Sequence, residues 1–69
     1  MKIQFEIGDR VIISTVSEYY SKEGTECNPN VPGTISMIRE GDYWGLHIVV
    51  EWDNGECNSY ASEDLTLVE

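Results

Sequence analysis

Catalysis and metal binding need particular side chains at particular spacings, and this chain offers few. His47 is the one histidine, and Cys27 and Cys57 are the two thiols. Nucleophilic catalysis requires a nucleophile and a base within hydrogen-bond reach. His47 lies between Leu46 and Ile48 in an apolar run, with neither cysteine near it in the chain. The close pairs of ligands typical of structural zinc sites are missing. Asp9, Asp42, Asp53 and Asp64 do not follow the spacing of a calcium loop. The sequence therefore predicts a protein that is not an enzyme, holds no metal and needs no cofactor.

Binding is better provided for. Thirteen Asp and Glu face four Lys and Arg, giving a net charge of −9. All four bases precede residue 40, and eight acids fall between Glu40 and Glu69. Such a surface repels phosphate, so direct contact with nucleic acid or an anionic membrane is not expected. A partner protein with a basic surface is favoured. Aromatic faces beside carboxylates suit a Lys or Arg of such a partner. The predicted binding residues are Tyr19 and Tyr20 from a long polar loop, Asp42, Tyr43 and Trp44 from a turn, and Glu56 and Glu63 from the acidic half. Trp52 and Tyr60 are assigned to the core. The acidity has a second reading, in which the carboxylates stand in for phosphates and the chain is a phage-type DNA-mimic inhibitor of a host nucleic-acid-binding or defence protein. A third is a homo-oligomer whose assembly makes the site. The plainest reading of the charge is that it keeps a small protein soluble.

The elements that would position these residues read as short strands between turn signals. Ile3, Phe5 and Ile7 alternate with polar residues, and Gly8-Asp9 makes a turn. Residues 10–14 (Arg-Val-Ile-Ile-Ser) form a good β run. Residues 15–32 are long, polar and broken by prolines. Residues 33–39 predict a second strand, and Glu40-Gly41-Asp42 turns it. Residues 43–52 predict the longest strand, with Leu46, Ile48, Val50 and Trp52 on one face. Asn54-Gly55 predicts a two-residue type I′ hairpin pairing Trp52 with Cys57 and Val49 with Tyr60. Residues 56–60 return. Ser62-Glu63-Asp64-Leu65 predicts one capped 3₁₀ turn, and residues 66–68 a closing strand. The fold class is all-β: a small SH3-like barrel of about five short strands with a single 3₁₀ turn before the last. An OB-fold is the alternative.

The segment 49–60 (Val-Val-Glu-Trp-Asp-Asn-Gly-Glu-Cys-Asn-Ser-Tyr), with Asp64-Leu65 after it, resembles the signature of the MIB/HERC2 domain. Gly8-Asp9-Arg10-Val11 and Gly33-Thr34-Ile35 look like that family's first two strands. The resemblance implies an SH3-like protein-interaction module of the kind found in large ubiquitin ligases. The chain departs from the pattern at Ala61-Ser62-Glu63, where the family carries a longer basic loop. A free-standing protein of this type resembles phage or mobile-element accessory proteins.

With 69 residues there is room for one domain, 1–69. Two cysteines allow at most one disulfide, and no apolar run approaches the roughly 20 residues of a membrane span. The N-terminus lacks the apolar core of a signal peptide. A cytoplasmic location with reduced thiols is expected.

Overall fold

Period-2 runs of β-branched residues dominate the chain, and they form strands: β1 (Arg10–Ile13), β2 (Gly33–Glu40), β3 (Leu46–Trp52), β4 (Cys57–Tyr60) and β5 (Leu65–Leu67). The structure is a computed structural model and describes residues 5–40 and 46–68. All neighbouring strands are antiparallel, in the order β4-β3-β2-β1-β5. One 3₁₀ turn, Ser62–Asp64, precedes the last strand. This is the all-β, SH3-like arrangement the sequence predicts. The Cα radius of gyration is 11.1 Å, matching the roughly 11 Å of a compact chain this long.

The core is a single cluster of Val11, Ile13, Ile35, Ile48, Val50, Trp52, Tyr60 and Leu65, with Phe5, Tyr20, Val31 and Ile38 packed against it. Strand β2 reaches it through a bulge. Ile35 pairs with Val50 and Met37 with Val49, so Ser36 is the extra residue. The insertion switches the alternation. Gly33 and Ile35 face inward before it, and Ile38 packs on the core after it, opposite Ile48. Gly33 is itself constrained. A Cβ there would lie 2.6 Å from the Trp52 ring and 2.6 Å from Val50 Cγ1.

The β3–β4 hairpin differs from its prediction by one residue. The Gly55 N–H bonds to the Trp52 carbonyl at 2.9 Å, and the Trp52 N–H to the Glu56 carbonyl at 2.7 Å. The loop therefore has three residues, Asp53-Asn54-Gly55, with only Gly55 at positive φ (95°). This is the turn-plus-bulge hairpin in which a glycine ends the turn. The register becomes Ile48 with Tyr60 and Glu51 with Cys57. Tyr60 thereby joins Ile48, Val50 and Trp52 inside, where the two-residue turn would have paired it with outward-facing Val49. The same pattern recurs at Gly8 (φ 98°), which donates to the Ile35 carbonyl while Ile35 donates to Asp9.

Other boundaries shift as well. The 3₁₀ turn has Ala61 at its N-cap and no side-chain cap, so the expected cap is absent. Strand β5 begins at Leu65, and β4 at Cys57, one residue from their predicted starts. Residues 5–9 are not a strand: Phe5 packs on the core while Ile7 is exposed. Residues 1–4 and 43–45, parts of two predicted strands, lie outside the described residues.

Candidate functional site

The long segment between β1 and β2 is built from consecutive tight turns, each closed by a hydroxyl. Ser14 Oγ accepts the Val16 N–H, Ser17 Oγ the Tyr19 N–H, Ser21 Oγ the Gly24 N–H and Thr25 Oγ1 the Asn28 N–H. Ser and Thr side chains supply the backbone with partners that a strand would otherwise provide. The loop is also tied down at both ends. Ser17 Oγ donates to Asp64 Oδ1 at 2.9 Å, linking it to the 3₁₀ turn. Near its far end, Asn58 Nδ2 donates to the Cys27 carbonyl at 3.3 Å, and the Tyr60 hydroxyl donates to Asn28 Oδ1 at 2.6 Å. Asn54 Nδ2 reaches the Glu26 carbonyl at 3.4 Å.

Through these bonds Asn54, Asn58 and Tyr60 hold the 15–32 loop against the β3–β4 hairpin. The sequence does not reveal this arrangement, since the partners lie about thirty residues away. Arg10 and Asp53 leave no sequence signal at all. Arg10 Nη2 meets Asp53 Oδ2 at 2.6 Å, and Nη1 reaches Asp53 Oδ1 at 2.9 Å and Thr34 Oγ1 at 2.8 Å. The hydrogen bond from Arg10 holds the Asp53 carboxyl below the usual carboxylate range, and the same bond raises Arg10. Burial raises the Tyr60 phenol above its ordinary value.

The predicted binding residues are only partly brought together. Tyr19 is 43% exposed and sets its ring edge-on to Tyr60, with centroids 5.8 Å apart. Tyr60 in turn meets Trp52 at 5.6 Å in the same geometry. Tyr20 is half-buried against the core. Glu63 is exposed on the rim of an open depression lined by Val16, Ser17, Glu18 and Asp64. Glu56 stands exposed after the hairpin turn, its N–H donating to Asn54 Oδ1. Asp42, Tyr43 and Trp44 lie outside the described residues. Among the described residues no group of three or more His, Cys, Asp and Glu is placed to hold a metal ion.

No family model matches the chain, and no curated protein matches it. Among solved structures it is similar to the cyanobacterial cytochrome b6f complex subunit PetP, determined in solution, with a TM-score of 0.66 and 16% identity over 100% of this chain and 95% of that one. The likeness is one of fold.

These findings correct the resemblance to the MIB/HERC2 domain and to phage accessory proteins, since the similar structure is neither. The physical reason lies in the motif itself. Trp52 and Tyr60 are buried, Asp53 is paired with Arg10, and Asn54 and Asn58 hold the loop. A small barrel with a long first loop can arrive at such residues for its own stability. The two functional expectations are corrected with it. An acidic module that grips a basic segment, and a DNA mimic, both rested on a free acidic surface, whereas the similar structure is a subunit of a multiprotein complex. Two of the acids concerned, Asp53 and Asp64, are engaged within the fold. No helix among the described residues is long and apolar enough to cross a membrane.

Proposed function

We propose that this chain is a non-catalytic accessory subunit that docks onto a larger protein assembly. The observation that carries the reading is the end-to-end likeness to PetP, a subunit of the cytochrome b6f complex. The absence of a catalytic step is part of the proposal. His47 sits four positions along β3 from Glu51, the residue opposite Cys57, so about 13 Å of strand separates the base from that thiol. The exposed free thiols of Cys27 and Cys57 suit a reducing compartment, which supports a cytoplasmic placement on the aqueous side of the assembly.

Native electrophoresis of a mild-detergent extract from the source organism, with the chain tagged, tests the reading. Co-migration with a large complex, with the cytochrome b6f complex as the first to probe, is the expected result. Migration of all the tagged chain at its own size would overturn it.

A further inference from the structure

The sheet has an outer face that the core does not explain. Ile48, Val50 and Trp52 point inward, so His47, Val49 and Glu51 point outward. Met37 lies directly opposite Val49, Ser59 lies on Val49's other side, and Arg39 lies opposite His47. Met37 is 49% exposed, and Arg39 and His47 are exposed.

The position of Met37 is the telling feature. In an unbroken strand it would share the inward face with Gly33 and Ile35. The bulge at Ser36 turns it out and brings Ile38 in. Bulges re-aim side chains, and this one puts a large flexible thioether in the middle of a solvent-facing surface, where alternation calls for a polar residue. Methionine is a residue of adaptable binding surfaces.

The charge pattern says what such a surface accepts. The chain carries −9, so an anionic partner is repelled over most of it. Arg10 is neutralised by Asp53, and Lys22 lies on the loop between β1 and β2. Arg39, beside the imidazole of His47 across β2 and β3, puts an outward cation at one end of this face, next to Met37 and Val49, while exposed Glu51 lies toward the other end. A carboxylate beside an apolar side chain complements that combination in one orientation only.

We propose that the outer face of β2 and β3, centred on Met37 and Val49 and edged by Arg39 and His47, is a docking surface for a partner protein presenting a carboxylate next to an apolar side chain. The proposal deepens the reading of the chain as a docking subunit and rests on it for the existence of a partner.

A benzophenone side chain placed at position 37 of the full chain, with position 16 as the control, tests it by photo-crosslinking in the source organism. The expected result is an adduct from position 37 whose partner peptide contains Asp or Glu, and none from position 16. Charge reversal at Arg39 (Arg39→Glu) combined with His47→Glu should cut that adduct by about tenfold, while circular dichroism shows the variant folded. An adduct from position 16 alone, no adduct from position 37, an adduct to a second copy of the chain or to lipid, or an adduct indifferent to the charge reversal would each overturn the proposal. Co-migration with a complex but no adduct from position 37 removes this face and leaves the subunit reading. A specific acidic adduct without co-migration supports the face and removes the larger assembly.

Discussion

The hydroxyl of Tyr60 accepts the indole N–H of Trp52 at 3.2 Å, and the two rings meet edge-on. The same hydroxyl donates to Asn28 at 2.6 Å, so one oxygen joins the core to the long loop. Replacing Tyr60 with Phe keeps the ring and removes that junction. It leaves a buried indole N–H without a partner, which costs about 1–3 kcal/mol. Each kcal/mol lowers the melting temperature of a domain this size by about 4–8 °C. Thermal melts check this; an unchanged Tm would mean the junction carries no stability. Alkaline titration adds a signature. The folded phenol titrates above its unfolded value, so its contribution is complete below about pH 10 and is lost as pH rises through the folded value. Tyr60→Phe should show a flatter alkaline limb.

Two glycines separate crowding from backbone strain. Gly33→Ala places a methyl group against the Trp52 ring and Val50, an overpacking that costs about 1–3 kcal/mol. Around Gly55 a Cβ meets nothing within 4 Å, so only its φ of 95° resists substitution. Gly55→Val should then lose about 1–3 kcal/mol and Gly55→Asn clearly less, because Asn tolerates the left-handed region. Denaturant unfolding of the three variants decides it. Equal losses for Val and Asn at position 55 would refute the strain account.

The Arg10–Asp53 pair is exposed at both ends. Its effect should fade with salt, as the Debye length falls from about 10 Å at 0.1 M to about 3 Å at 1 M. Asp53→Asn should therefore melt closer to the parent protein in 1 M NaCl than in 0.1 M. The pair also sets an acid limb. Because Asp53 is held below its unfolded pKa, its contribution is present above about pH 4 and is lost as pH falls through the folded value. The variant should lack this part of the acid transition. A salt-independent difference would point to hydrogen-bond geometry alone.

Cys27 and Cys57 are both exposed and unpaired. Alkylation of the native protein without reductant should add two labels, read by mass spectrometry. One or none would show that a thiol is buried or bridged in solution.

Sequence patterning reached as far as local physics reaches. Alternation located β1, most of β2 and the inward face of β3, because each depends on its own residues. It missed the hairpin register, since Asn54-Gly55 suits two turn types and only the pairing of Tyr60 with the core selects between them. The bulge at Ser36 was equally hidden: Ile35 and Met37 read as one face until β3 is laid beside them. The site was less legible still. Loop anchoring and the Arg10–Asp53 pair join residues 28 to 43 positions apart, and no spacing rule spans that distance. Acidity was overread, because a count of carboxylates does not say which are engaged.

Strand β1 lies between β2 and β5, and Val11 pairs with Leu67. Among the described strands, the first is therefore completed by the last. Until residues 65–67 emerge from the exit tunnel, Val11 and Ile13 lack one of their two neighbours, and the nascent chain cannot close its core. Such long-range closure places the molecule among slower, millisecond-to-second folders. Until that closure the half-made sheet exposes unpaired strand edges, and the high negative charge of the chain opposes association with its own copies.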